Sequence, residues 1–484
     1  MTDQAIMANK GFRKPKAASR LRSVPISGSR VWLVRIFVFS LLVPILIPAG
    51  PVLLMPHRLY LVAVFIPLLV MLFSRQAGRI LWPDVLMIFS TIWACVALVV
   101  SAGVSTTIEP MGLFTVEFFG AYLAGRMLVR SGAEFRRLVW FLFAVCLVIV
   151  PFAVAEAVTH RAILLEMVPN SIGAVSAPER LGLRRAQAVF SHPILFGVFV
   201  SSCMGLFWYA LRPGMPRIIS YPIVGLGTMV SLSTGALISL VIQTGLVAWQ
   251  AMFRKLKSRW KLFTVLTVFG YVTVDLLSDR TPFHLLVDYA SFNSGSAYNR
   301  ILIWQFGTQN VVDNPLFGLG MNVNNWVRPH WMNSSADNFW LLLPMQYGLP
   351  MILSLVLALV LILRALSKAQ LLHEVDRNSR AGLLITLAGI IIAGGTVHYW
   401  HAMMAFVMFL FGAGLWVVQA EKDDGSGQDK DRADLQEPAT SRATSQYTRF
   451  PQGSTTRAEH AETTSHQLSP FRRRTSESAR MQNT

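Results

Sequence analysis

The sequence predicts an all-α integral membrane protein, and three observations support this fold class. Of its 484 residues, 53% are hydrophobic and 14% are charged, whereas a soluble globular protein carries roughly 25% charged residues. The apolar residues gather into stretches of about 20, the length that an α-helix needs to cross a bilayer. Three cysteines in this length exclude a disulfide scaffold, and the high hydrophobicity excludes disorder of the whole chain.

The apolar stretches number about twelve, within a range of roughly ten to thirteen. Each is expected to be a helix, because lipid offers no hydrogen-bond partner to an irregular backbone. The stretch at 338–363 contains Pro344 and Pro350 and is expected to be bent. In chain order the stretches are 31–48, 59–73, 84–104, 109–129, 138–158, 189–211, 218–232, 235–253, 260–277, 338–363, 382–398 and 401–418.

Basic residues predict the orientation of these helices. Seven cations lie between Lys10 and Arg30, and the positive-inside rule places them in the cytoplasm. The segment is too long, and the apolar run after it too extended, for a cleaved signal peptide. With twelve spans both termini are cytoplasmic, and the short basic loops at 74–83, 130–137, 212–217, 254–261 and 364–380 lie on the same side.

The chain therefore divides into three parts. Residues 1–30 form a basic cytoplasmic segment, residues 31–419 form a polytopic membrane domain, and residues 420–484 form a cytoplasmic tail. The tail consists mainly of Ser, Thr, Gln and charged residues, so we expect it to be disordered. The basic clusters are divided among short loops, which argues against a nucleic-acid-binding protein.

Only two of the outer loops are long, at 159–188 and 278–337, and extended loops on a rigid scaffold are where function usually resides. Arg184 and Arg185 lie just before a span, and the guanidinium group is the preferred fork for phosphate oxygens. Two arginines converging from different loops would suit a lipid-linked diphosphate. The remaining loop arginines are expected to pair with loop acids or to face water; they are Arg161, Arg180, Arg280 and Arg328.

The second loop contains further candidate residues. Arg300 and Trp304 are one helical turn apart and share a face. The segment at 313–320 ends that helix in a tight turn. Asp337 and Asn338 stand at the entrance of the next span, where Asp337 could act either as a base or as a helix N-cap.

Three segments resemble the superfamily of O-antigen ligases and repeat-unit polymerases (Wzy-type, C-fold glycosyltransferases). Residues 185–193 (RAQAVFSHP) are similar to the family pattern Arg-x-x-Gly-x-Phe-x-[Asn/His]-Pro, and residues 231–236 (SLSTGA) to Ser-x-Ser-Arg-Gly-Ala. The third and most specific segment has Arg300 and Trp304, then PLFGLG at 315–320 and DNFWL at 337–341. The resemblance covers roughly residues 181–350.

The resemblance implies an inverting glycosyl transfer at the periplasmic face of the bacterial inner membrane. The donor would be a glycan on undecaprenyl diphosphate, whose good leaving group requires no metal or other cofactor. By the same resemblance, Arg185 and Arg300 hold the diphosphate and Asp337 acts as the base on the acceptor hydroxyl. The candidate substrate-binding residues are Arg184, Trp304, Asn338 and His330. Expected partners are membrane lipid and the flippase and chain-length regulator of the same pathway.

Departures from the family pattern bear on the acceptor. Ligases usually carry His-Asn where this chain has Asp337-Asn338, and Thr234 and Ala188 replace a family arginine and glycine. The Asp337-Asn338 pair favours a polymerase, which joins the chain to the next lipid-linked repeat unit in exopolysaccharide or O-antigen synthesis. The alternative is a ligase that transfers the chain to lipid A core.

A transporter is the alternative from a different class, because twelve spans with both ends inside suit many carriers. Glu117, Glu156 and Asp275 lie within predicted spans and could mark a transport path or form hydrogen bonds between helices. The loop between the sixth and seventh spans, at 212–217, is much shorter than the link that major-facilitator carriers have there.

Overall fold

The computed structural model describes residues 28–49, 52–277 and 294–420. Most of these residues are helical, and one short antiparallel hairpin pairs Ile47–Ala49 (β1) with Val52–Leu54 (β2). The helices are α1 Gly28–Leu42, α2 Pro56–Phe73, α3 Trp82–Ala102, α4 Val104–Phe114, α5 Ala121–Leu128, α6 Gly132–Thr159, α7 Ile163–Glu166, α8 Pro193–Ala210, α9 Met215–Val230, α10 Thr234–Met252, α11 Arg259–Leu277, α12 Ser294–Asp313, α13 Phe339–Tyr347, α14 Leu349–Lys368, α15 Glu374–Gly394 and α16 Ala402–Ala413.

Eight of the described helices are long and apolar enough to cross a membrane, which agrees with an all-α membrane protein. They are α2, α3, α6, α8, α10, α11, α14 and the stretch Ala402–Ala420, which extends α16. The count of about twelve spans and their orientation remain predictions. The basic segment up to residue 27 and the tail from residue 421 lie outside the described residues, as does Arg280.

Proline and glycine set several helix limits. The first predicted span is helical only to Leu42, because Pro44 and Pro48 lack the amide that a continuing helix would use. The stretch predicted to be bent is broken at Gly348, whose φ of 82° separates α13 from α14. The fourth predicted span is one run of helix, in which α4 and α5 flank a π-helical turn at Thr115–Gly120.

Helix α8 lies at the centre of the bundle and packs against α9, α10 and α15. Small residues permit this packing: a Cβ added to Gly205 would come within 2.8 Å of the Gly382 carbonyl oxygen on α15. Gln243 on α10 donates to the Ser201 carbonyl (2.8 Å) and accepts from the Gly205 amide (3.1 Å). These contacts fix the central helix whose first residues border the site described below.

At one end of the bundle, the segments predicted to be cytoplasmic contact one another. Arg30 pairs with Glu134 at 2.8 Å, Arg136 pairs with Asp376, and Arg130 donates to the Gln76 carbonyl at 2.8 Å. The outer loops and the loop after α15 meet at the other end of the helices, where they form the candidate site.

Candidate active site

The outer loop that precedes α8 is fixed by a carboxylate at the end of α6. Glu156 accepts hydrogen bonds from the backbone amides of Gln187 (3.2 Å) and Ala188 (2.9 Å). The Gln187 side chain in turn donates to the Phe190 carbonyl (3.0 Å) and accepts from the Val175 amide (2.8 Å). Ala188 has a φ of 50°, in the left-handed region that favours glycine, so the turn forms here despite the alanine.

Two arginines of this loop reach the turn between α9 and α10. The Arg185 side chain is buried, and its Nε donates to the Ser231 carbonyl at 3.4 Å. Arg180 Nη1 donates to the next carbonyl, that of Leu232, at 2.6 Å. The second motif of the sequence, at 231–236, therefore supplies backbone acceptors that place arginines of the first loop.

A third arginine arrives from α12. Arg300 Nε donates to the Thr396 carbonyl, in the loop after α15, at 3.3 Å. That loop packs tightly on the first turn of α10, since a Cβ added to Gly235 would come within 2.8 Å of Thr396 Oγ1. Gly235, the glycine of the SLSTGA segment, thus allows this loop, and with it Arg300, to approach the N-terminus of α10. The N-terminus of a helix favours anions.

Electrostatic coupling joins five side chains, which we call the arginine cluster: Arg180, Arg185, Arg300, His192 and Asp337. Burial lowers the pKa of Arg185 to about 10, helped by the charges of Arg180 and Arg300 and opposed by Asp337. Burial also lowers the pKa of Arg300, again opposed by Asp337. Among the described residues, three guanidinium groups and one carboxylate meet here, an arrangement that suits an anion.

Asp337 is a half-buried carboxylate that accepts a hydrogen bond from the Ser335 hydroxyl at 2.7 Å. It is not the N-cap of α13, because Asn338 holds that place: Asn338 Oδ1 accepts from the Leu341 amide at 3.0 Å. Asn338 Nδ2 donates to the Gly395 carbonyl at 3.0 Å. The cap interpretation of Asp337 is therefore wrong, and the buried Asn338 side chain uses both ends of its amide within the protein.

The structure places Arg180 and Arg184 differently from the predictions made from the sequence. Arg184, a candidate for substrate binding, points to Glu156, with Nε and Oε1 3.6 Å apart. Arg180, which was expected to pair with loop acids or face water, instead joins the arginine cluster. The loop backbone explains the difference, because the chain reverses between them: Arg180 and Leu183 exchange backbone hydrogen bonds (3.1 and 3.0 Å) around a turn in which Leu181 and Gly182 have positive φ.

The other predicted site residues lie around the cluster. Trp304, one turn after Arg300, is half-buried and packs against a small apolar group that joins α12 to α13. The His330 side chain is exposed. Arg161 pairs with Glu166 at 2.6 Å, as expected, whereas Arg328 donates to carbonyls of its own loop.

His192, which stands at the [Asn/His] position of the first family motif, also belongs to the cluster. It does cap α8, since its Nδ1 accepts from the Ile194 amide at 3.1 Å. Burial and the neighbouring charge of Arg185 lower its pKa to about 4, so the ring is neutral at pH 7. Its position in the first motif, seven residues after Arg185, is the signal that could have associated the two.

Comparison with known families bears directly on this arrangement. Residues 219–356 match the family model described as O-antigen ligase. The match covers 138 of the 484 residues and supports the resemblance to the superfamily of O-antigen ligases and repeat-unit polymerases. The matched range includes the α9–α10 turn, Arg300, Trp304 and Asp337. The O-antigen ligase family acts on lipid-linked oligosaccharides in the membrane. The match therefore indicates a glycosyltransferase activity of the ligase or polymerase type in a multi-pass membrane protein. A comparison with curated proteins gave no match.

Proposed function

We propose that this O-antigen ligase-family protein is a polysaccharide repeat-unit polymerase. It transfers a glycan chain from undecaprenyl diphosphate to the next lipid-linked repeat unit at the periplasmic face of the inner membrane. The observation that carries the proposal is the arginine cluster, in which guanidinium groups from two outer loops converge beside Asp337. Such an arrangement suits a substrate with two adjacent phosphates.

The cluster supports the chemistry of the transfer. As the bond between the anomeric carbon and the diphosphate breaks, negative charge grows on the leaving oxygen, and Arg185 and Arg300 stabilise it. Asp337 takes the proton of the acceptor hydroxyl as that oxygen forms the new bond on the opposite face of the sugar. The anomeric configuration inverts, and undecaprenyl diphosphate leaves with the electron pair.

The residues at the entrance of α13 favour the polymerase over the ligase. Ligases of the family usually have a histidine where this chain has Asp337, and Asn338 here serves as the cap of α13. The ligase alternative is supported by the description of the matched family itself. Both functions use the same donor and differ only in the acceptor.

Two of the three acids that would support a transporter have other partners. Glu117 on the π-helical turn accepts from Arg58 Nε at 2.6 Å and lies 3.1 Å from His57 Nε2. Glu156 fixes the outer loop, and Asp275 is exposed on α11. Two of the three acids therefore act in contacts between segments, so we do not propose transport.

A deletion strain separates the two acceptors. If the protein is a polymerase, the strain loses secreted polymer or long O-chains, and single repeat units remain on the lipid carrier. Long polymer that still accumulates on the lipid carrier, together with lipopolysaccharide core lacking O-chain, would instead identify the ligase. Complementation with the wild-type chain must restore the lost product in either case.

A further inference from the structure

A second cavity, of about 340 Å³, lies at the opposite end of the bundle from the arginine cluster. It is bounded by the start of α3, the last turn of α14 and the residues that follow α16. The residues that matter for its chemistry are Arg79, Trp82, Leu361, Arg364, Lys368 and Leu415. None of the residues described above for glycan transfer lines this cavity.

Among the described residues that line the cavity, the charged side chains are all basic. They are Arg79, Arg364 and Lys368, which are exposed, and no described lining residue is acidic. The acid nearest in sequence, Asp84, is buried, accepts from the Tyr122 hydroxyl at 2.6 Å and pairs with Arg126 at 3.4 Å. Its charge is therefore engaged elsewhere, and the three cations can attract an anion.

The remaining described residues that line the cavity are apolar. Leu361 lies one turn before Arg364 on α14, and Leu415, just after α16, lines the same cavity. Trp82, at the first residue of α3, is 73% exposed, as is typical of an aromatic residue at the membrane interface. Cations at the helix ends with an apolar wall next to them match a phosphate head group and the start of an acyl chain.

We propose that this cavity binds an anionic phospholipid, with the phosphate on Arg79, Arg364 and Lys368 and an acyl chain beside Leu361. Basic pockets at the ends of transmembrane helices recognise lipid head groups in this way. A free phosphate ion shares the charge chemistry, but it would gain nothing from the apolar wall. A neutral phospholipid would fill the apolar wall but lacks the net negative charge.

The test is lipid binding by the purified full-length protein in a neutral detergent, measured by native mass spectrometry. The probes are phosphatidylglycerol, phosphatidylcholine and inorganic phosphate, and we expect binding of phosphatidylglycerol only. The variant R79Q/R364Q/K368Q should bind it about tenfold or more weakly, given the contribution of each cation near a membrane surface.

A matched control removes the same charge from another exposed loop. The variant R254Q/K255Q/K257Q alters the segment between α10 and α11 and should bind phosphatidylglycerol as the wild type does. Equal losses in both variants, unchanged binding in the cavity variant, or equal binding of phosphatidylcholine or free phosphate would overturn the proposal. All substituted side chains are exposed, so folding should be unaffected, which an unchanged thermal midpoint would verify.

Discussion

Each guanidinium group of the arginine cluster donates to a backbone carbonyl, and these carbonyls come from two separate turns. Ser231 and Leu232 hold Arg185 and Arg180, and Thr396 holds Arg300. A backbone carbonyl fixes the direction of a guanidinium group, and a buried guanidinium group is stabilised by a neighbouring anion. The arrangement of these side chains thus suits an anionic ligand such as a diphosphate.

Replacement of these arginines should remove activity and leave the fold intact. We expect Arg185→Ala and Arg300→Ala each to lower glycan transfer by about 100-fold or more, because on the proposed mechanism each removes a donor to the departing diphosphate. Arg161→Gln is the matched control, since that side chain forms an exposed pair with Glu166. Membrane insertion is checked by fractionation, and full activity in either alanine variant would exclude the diphosphate role.

Asp337 and Asn338 can be separated by experiment because the structure gives them different partners. Asp337→Asn should reduce transfer by about 10²–10⁴-fold, the contribution of a general base, without changing the unfolding temperature. Asn338→Ala should lower the free energy of unfolding by about 1–2 kcal/mol through loss of the α13 cap. A fully active Asp337→Asn protein would show that the carboxylate is not the base.

At the scale of elements, the site depends on how loops are attached to helix ends. Glu156 on α6 fixes the first outer loop through two backbone amides. Arg180 and Arg185 of that loop then donate to carbonyls of the α9–α10 turn. The loop after α15 is held from both sides, by Asn338 and by the first turn of α10. Changes in these attachments should therefore alter activity without touching any arginine.

Glu156 provides the test of this attachment. Glu156→Ala leaves the amides of Gln187 and Ala188 without their acceptor, which should lower the free energy of unfolding by about 1–3 kcal/mol and displace Arg185. Glu166→Ala removes an exposed carboxylate from the same loop and should change neither quantity. Thermal unfolding in detergent and transfer assays measure both effects; equal stability of the two variants would contradict this role.

His192 should make stability depend on pH. In the unfolded chain this histidine takes up a proton near pH 6.5, whereas in the folded protein it stays neutral down to about pH 4. The unfolded state therefore binds more protons across this window, and the free energy of unfolding falls as the pH drops from 6.5 to 4. His192→Asn, which can still cap α8, should show a smaller fall in thermal midpoint; identical pH profiles would rule out this contribution.

The positions of the helices were predictable from hydropathy. The exact residues at which helices end or break, which depend on turns, were less predictable. Pro344 and Pro350 predicted a bent span, but the break itself falls at Gly348, the residue able to adopt a φ of 82°. The stretch beginning at 31 was expected to run to 48, and Pro44 ended its helix early. The cap of α13 lies one residue beyond Asp337, within the usual uncertainty of a helix boundary.

The site was predictable only as far as the motifs extend. Arg185, Arg300 and Asp337 stand in recognisable patterns, and the structure brings them together. Arg180 stands in no pattern, and its acceptor at Leu232 is 52 residues away in the chain. A contact of this kind depends on tertiary packing between a loop and a turn, so the local sequence contains no signal for it.

At the scale of the whole molecule, the two ends of the helix bundle carry charge for different reasons. The net charge of +18 comes largely from the basic loops predicted to face the cytoplasm, and the proposed lipid cavity lies among them. At the other end a few individual arginines form the arginine cluster. This division agrees with glycan transfer on the outer side, by a protein oriented by its basic loops.

Glycan transfer by the purified protein tests the central proposal most directly. The wild-type protein and Arg300→Ala are reconstituted in liposomes with an undecaprenyl-diphosphate-linked repeat unit as the sole substrate, and products are separated by size. We expect the wild type to produce a ladder of longer lipid-linked chains and Arg300→Ala to produce none. If the wild type forms no chain beyond one repeat unit, yet transfers glycan when lipid A core is added, the polymerase proposal is contradicted.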